Sequence, residues 1–293
     1  MKQFLKKVGF YGLLVVILLF VLDMIYTQVY KNSAPRNKVQ YALSLENENF
    51  DYIFLGSSRV ENTIVTSEIE KATGKKAINL GNQQSKLNDI LLFLKILEYK
   101  KVKADTIFIQ VDYNYNILKN SDIIKSQTLP YIRSNPLIKS YLKESDSTFL
   151  KNYYLPFYRY ATNDYKIGFR EIFSSAIGKK VSMDLSDGYL PLYGRMQPDR
   201  ISTLPDKLIE NNPAFDEIKS FCSTNNIKVL FFCAPFCENV KGVELIEELK
   251  IKIPELYDFS DVITDVKNYQ DCNHLNNAGA IEFTKFLIDT FRL

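Results

Sequence analysis

The chain has 293 residues, 46% of them hydrophobic and 24% charged, which suits one large domain or one domain carrying an insertion. Its formal net charge is only +3 and no Lys/Arg stripe with interleaved aromatics stands out, so nucleic-acid binding has no support.

After Lys2, Lys6 and Lys7 the sequence is uncharged from Val8 to Leu22 and, past Asp23, from Met24 to Tyr30. About 20 predominantly apolar residues span the hydrocarbon core as a helix. Residues 8–30 therefore read as an uncleaved single-pass anchor, with Asp23 near the outer interface beside Tyr26 and Tyr30. A secretory signal peptide shares the basic start, but no small-x-small cleavage site follows the apolar run. A buried soluble helix is the third reading. Residues 1–7 read as a cytoplasmic tail, because a tail this short is most simply left inside, and residues 31–293 as an extracytoplasmic domain. The positive-inside rule adds little, since Lys31, Arg36 and Lys38 match the three tail lysines.

From residue 51 strands and helices alternate. Tyr52–Leu55 is a short apolar run, and Ser67-Glu68-Ile69-Glu70 is a capping box for a short helix closed by Gly74. Lys76–Leu80 reads as a second strand ending at Gly81. Leu87, Ile90, Leu91, Leu94 and Leu97 recur at helical spacing over 85–100, and Thr106–Val111 reads as a third strand. Strands separated by such helices predict βαβ units, and so an α/β fold with a mostly parallel, flavodoxin-like sheet in three α/β/α layers. The alternation lapses from about 116 to 205, a segment rich in Tyr, Ser, Asn and Pro, with one helix near Asp164–Ser175 and a turn at Asp187-Gly188. This reads as an insertion on the rim of the sheet, a lid or partner surface. Asn212-Pro213 then starts a helix to residue 224 as N-cap and first-turn proline. Lys228–Ala234 reads as a fourth strand, Val243–Lys250 as a helix, Leu256–Val262 as a short edge strand, and the segment after Asn277 as a final helix.

The chain has one histidine, and it lies in Asp271-Cys272-Asn273-His274-Leu275-Asn276, just before that final helix. A serine nucleophile needs a base near neutral pH and a partner to orient it and stabilise its charged form. Asp271 can orient His274 from the same loop. Gly56-Ser57-Ser58 ends the first strand on the carboxyl side of the sheet, where ligand sites of open α/β folds collect. Ser57 and Ser58 are both candidate nucleophiles there. The oxyanion needs donors: Gly81, with the Ser58 backbone N–H, is the first choice, and Asn82 and Asn114 follow strands two and three. Arg59 and Asp112 are equally candidates for touching an anionic polymer or for a structural ion pair.

At these residues the chain resembles the SGNH (GDSL-like) hydrolase superfamily. Gly56-Ser57-Ser58 matches its first block, with Ser58 at the nucleophile position and Ser57 in place of the aspartate. Asn79-Leu80-Gly81 matches the second, and Asp271-x-x-His274 the last. Gln110-Val111-Asp112-Tyr113-Asn114 departs from the usual Gly-x-Asn-Asp third block. With the amino-terminal anchor, the resemblance is strongest to the branch holding the alginate O-acetylation proteins and the D-alanine transfer protein of lipoteichoic acid synthesis. It implies acyl transfer to or from a cell-surface polysaccharide, beside a multi-spanning membrane-bound O-acyltransferase, with no cofactor. An extracytoplasmic carbohydrate esterase using the same residues and a non-catalytic scaffold or glycan-binding protein are the rival readings.

Four cysteines, Cys222, Cys233, Cys237 and Cys272, are compatible with disulfides or with free buried thiols. Cys233-Ala-Pro-Phe-Cys237 is not a CxxC knuckle and no second pair exists, so no metal site is expected.

Overall fold

In the computed structural model, which describes residues 1–195 and 202–293, five strands form one parallel sheet. They are β1 (Asn49–Leu55), β2 (Ala77–Asn79), β3 (Lys103–Gln110), β4 (Val229–Cys233) and β5 (Leu256–Asp258). Their spatial order is β2-β1-β3-β4-β5, the doubly wound order of flavodoxin-like folds. The register sets Phe54 beside Asn79 on one side and Phe108 on the other, and Ile109 beside Phe231. A parallel sheet is covered on both faces, which explains why its strands are apolar runs rather than alternating ones.

Helices Leu87–Tyr99 and Pro213–Thr224 pack on each other, as do Thr66–Thr73 and Asn277–Phe291. The second pair, with Glu244–Lys252, closes a core around Phe54, Phe108, Ile69, Phe232, Leu245 and Phe283. Phe54 and Phe108 stack with ring centroids 4.7 Å apart. Asn212 caps its helix through the Ala214 N–H, and Pro213 follows as expected. The edge strand is shorter than expected, ending at Asp258.

The capping box at Ser67–Glu70 does not form. Val65 precedes the helix, and the Glu70 carboxylate accepts instead from the Ala77 N–H at 3.2 Å, at the start of β2. Thr66 Oγ1 reaches Asp187 O at 2.9 Å, so the helix start is tied to a distant turn rather than to its own side chains. Gly74 does close the helix, in the left-handed region at φ 70°.

Residues 37–123 and 182–293 form one compact unit, and residues 1–36 and 124–181 another. The segment 116–205 is thus divided between the two, and its residues 196–201 lie outside the described residues. Within 124–181 the chain is more helical than expected: Pro136–Ser145, Phe149–Tyr154, Tyr158–Ala161, Asp164–Ile167 and Phe169–Ala176. The helix expected over Asp164–Ser175 is broken at Gly168.

The N-terminal helix runs from Lys2 to Asn32, with mean hydropathy 2.6 over its most apolar window and 6% of that window buried. It is long and apolar enough to cross a membrane, as a single-pass anchor or a signal sequence is. Asp23 is buried in this unit, 5% exposed, and accepts from Arg133 at 2.9 Å, Arg159 at 2.8 Å and the Phe157 N–H at 2.8 Å.

Candidate active site

β1 ends at Leu55, Gly56 turns the chain, and a single helical turn, Ser58–Glu61, follows with Ser57 as its N-cap. A Cβ on Gly56 would stand 2.3 Å from Val60 Cγ2 and 2.7 Å from Gln110 Oε1, so only glycine lets the turn close. Gly81 serves the same packing from the other side. A Cβ there would meet the Glu61 backbone nitrogen at 2.6 Å, so this glycine lets β2's end abut the Ser58 turn.

The two serines face different partners. Ser57 Oγ donates to Gln110 Oε1 at 2.9 Å and accepts from the Arg59 N–H at 3.2 Å, and Gln110 Oε1 also takes the Ser57 N–H at 2.8 Å. Ser58 Oγ lies 2.8 Å from His274 Nε2. His274 Nδ1 is 2.9 and 3.1 Å from the two Asp271 oxygens. The structure therefore brings together Ser58, His274 and Asp271, residues separated by 216 and 3 positions, in one hydrogen-bonded chain, the geometry that a nucleophile, base and orienter would need.

Burial pushes the Asp271 carboxyl up, but the His274 hydrogen bond and charge, with the Asn273 and His274 N–H groups, outweigh it and hold the group below the usual carboxylate range. A depressed carboxyl contributes stability that is fully present above its unfolded value and is lost as pH falls through its folded value, below the usual carboxylate range.

The loop carrying Asp271 and His274 is a small antiparallel hairpin, Tyr269–Asp271 with His274–Leu275. Two devices hold it. A disulfide joins Cys272, between the two site residues, to Cys237, while Cys222 and Cys233 are free and buried. Bridging a separation of 35 residues stabilises a fold by roughly 2–4 kcal/mol. Reduction, or Cys237→Ser, is expected to lower the urea midpoint accordingly, and hydrogen exchange should quicken first in residues 269–275. No group of three or more His, Cys, Asp or Glu side chains that could hold a metal ion is found among the described residues.

The second device is Arg59, whose expected contact with an anionic polymer gives way to the ion-pair alternative. Arg59 and Asp112 are 1% and 0% exposed, with Nε 2.7 Å from Asp112 Oδ2. Nη1 donates to Asn273 O at 2.6 Å, Nη2 to Ala234 O and to Pro235 O at 3.0 Å, and the guanidinium lies 3.6 Å over the Phe236 ring. Every nitrogen is engaged inside the protein, so neither residue can meet a polymer. What Arg59 does is join the serine turn to the histidine loop.

The expected oxyanion donors are differently placed. The Gly81 N–H donates to Asn79 Oδ1 at 3.0 Å, an Asx turn that occupies it. The Asn82 N–H donates to Gly56 O at 3.0 Å, and its side chain is buried. The Asn114 amide is engaged in its own turn, accepting from the Asp112 N–H at 3.1 Å and donating to Gln110 O at 3.5 Å. The Ser58 N–H, at the first position of its turn, makes no hydrogen bond among the described residues.

Several supporting residues escaped the sequence reading. Gln110, in the divergent third block, clamps Ser57 and donates through Nε2 to Asp112. Asn79 Nδ2 donates to Val60 O at 2.8 Å and Ile64 O at 2.9 Å, fixing the far end of the serine turn. Lys38 and Glu61 form a buried pair at 3.5 Å, and Lys38 also donates to Gly81 O. Burial outweighs their attraction, pushing the Lys38 amine down to about 8 and the Glu61 carboxyl up. Lys38 gives up its proton sooner when folded than when unfolded, so its stability contribution rises from about pH 8 towards the ordinary lysine value of about 10.4. Lys38→Met is expected to destabilise the fold by roughly 3–5 kcal/mol near neutrality and to remove that alkaline rise, read by urea unfolding across pH.

The chain matches no protein-family model and no curated protein.

Proposed function

We propose that this chain performs serine-dependent acyl transfer to or from a cell-surface polysaccharide, as an SGNH-type enzyme tethered outside the cytoplasmic membrane. The observation that carries the reading is the 2.8 Å contact from Ser58 Oγ to His274 Nε2, with Asp271 on the opposite ring nitrogen. The Cys237–Cys272 disulfide supports an oxidising compartment, and the apolar N-terminal helix supports the tether.

In this mechanism His274 Nε2 takes the Ser58 proton as Oγ bonds to the acyl carbon of the donor. Asp271 stabilises the imidazolium so formed, and the Ser58 N–H, which has no acceptor among the described residues, would donate to the developing oxyanion. The imidazolium then protonates the departing oxygen, leaving Ser58 acylated. A sugar hydroxyl gives its proton to His274 as it attacks the acyl carbon, and Ser58 recovers its proton when the ester leaves. The Gly81 N–H can join the oxyanion only by leaving Asn79 Oδ1, so Asn79 tunes that second donor. The proposed acyl source is a multi-spanning membrane-bound O-acyltransferase, by resemblance to the surface-polymer branch.

Water in place of the sugar hydroxyl would make the same residues an esterase, and the direction of change separates the two. A strain carrying Ser58→Ala is expected to lose acyl groups from its surface glycan. A gain would instead assign hydrolysis, and no change would contradict both.

A further inference from the structure

The unit built from residues 1–36 and 124–181 holds a cavity of about 470 Å³ against the carboxyl-terminal part of the N-terminal helix. Its walls divide by chemistry. Phe20, Val21 and Met24 line it from the apolar run, while Lys31, Arg133 and Arg159 supply three cations against one acid, Asp23. Asp23 Oδ1 takes one nitrogen from each arginine, and the other Arg133 nitrogens donate to Tyr153 O and Leu155 O, so the 30% exposed Arg133 contributes charge to the wall, which keeps an excess of positive charge.

Arg159 is 1% exposed, and although its Nη2 bonds Asp23 and Thr27, its Nε and Nη1 meet no acceptor among the described residues. The guanidinium lies 4.7 Å over the Tyr160 ring and those two nitrogens are buried, so its charge is only partly matched inside the protein, which favours an anion in the cavity it lines. Lys31 lies eight residues beyond Asp23, about 12 Å along the helix, so the basic wall extends from the apolar run to the polar end of the helix.

A second feature of the same unit points the same way. On the helix Phe169–Ala176 and its cap, Phe169, Phe173 and Ile177 form an exposed stripe, 67%, 55% and 59% accessible, at helical spacing. Arg170, Lys179 and Lys180 lie exposed beside it, and the helix packs on the N-terminal helix. Apolar residues interleaved with basic ones are what an interfacial helix presents to an anionic leaflet.

We propose that this cavity binds the phosphate of an anionic phospholipid, with Arg159, Arg133 and Lys31 around the headgroup and Phe20, Val21 and Met24 beside the acyl chains. The site is independent of the acyl-transfer reading. It rests on the N-terminal helix lying in a bilayer, and release of the full chain from membranes by alkaline carbonate would overturn that premise and the proposal with it.

The test uses the full chain in nanodiscs of phosphatidylcholine mixed with phosphatidylglycerol, followed by detergent extraction and native mass spectrometry of retained lipid. Phosphatidylglycerol is expected to be retained over phosphatidylcholine by roughly tenfold, and Lys31→Gln with Arg133→Gln should bring the ratio near parity. Arg159 still balances Asp23 in that variant, and an unchanged circular dichroism spectrum shows that it has folded. Equal retention of the two lipids by the unaltered chain, or a preference that survives both substitutions, would overturn the proposal. So would displacement of the lipid by inorganic phosphate alone, which would assign the site to the free anion.

Discussion

Asp271→Asn should lower kcat/KM for p-nitrophenyl acetate by about 10⁴, while leaving the fold and the Ser58 position intact. Asp271 meets both the His274 Nδ1 and the Asn273 N–H, the latter at 2.8 Å. Both contacts fall on Oδ1, so an amide oxygen there keeps them, but its NH₂ then takes the place of Oδ2, 3.1 Å from His274 Nδ1, and either repels that N–H or forces the wrong tautomer. In either case the imidazolium of the proposed mechanism would lose its counter-charge as the Ser58 proton arrives. Stopped-flow or plate kinetics beside a urea titration separate this from unfolding. A drop of less than about tenfold would remove Asp271 from the orienting role.

Arg59→Met should cost the fold roughly 3–5 kcal/mol, because it strands the Asp112 carboxylate at 0% exposure. It also leaves the carbonyls of Asn273, Ala234 and Pro235 without their donor. The carboxylate part of the loss is recoverable: Arg59→Met with Asp112→Leu removes both charges and should regain much of the stability. Activity should not return with it, because Asn273 O is no longer held and the His274 loop loses its tie to the serine turn. Urea midpoints and ester hydrolysis on the two variants check both halves. A double variant as active as the unaltered chain would show that Arg59 does not position the loop.

Much of this arrangement was legible because the parts that matter are local. Gly56, Gly81 and the Asp271–His274 spacing each follow from a strand end or a single tight loop, and strand alternation fixed where those ends gather. The choice between Ser57 and Ser58 was the limit of local reading. It turns on Gln110, 53 residues away, whose side chain occupies Ser57. The Gly81 N–H was chosen as an oxyanion donor because glycine leaves it open. The competing acceptor, Asn79 Oδ1, lay two residues back in the same motif. Arg59 and Asp112 were open in sequence to either an ion pair or a polymer contact, and only their burial, at 1% and 0% exposed, decides for the pair.

The segment 124–181 resisted for another reason. Its helices run from 4 to 10 residues, too short for a 3.6-residue period to declare itself, and they are held by packing. Asp23 looked like an interfacial residue in an apolar helix. Its arginine partners are 110 and 136 positions downstream.

The most direct test of the proposed chemistry is covalent capture. The purified chain, incubated with a fluorophosphonate and digested, should carry one phosphonyl group on the peptide containing Ser58. Ser58→Ala should abolish that adduct, and His274→Ala should slow it by about 10³-fold or more. Labelling of Ser57 instead, or labelling of Ser58 at the same rate without His274, would contradict the account.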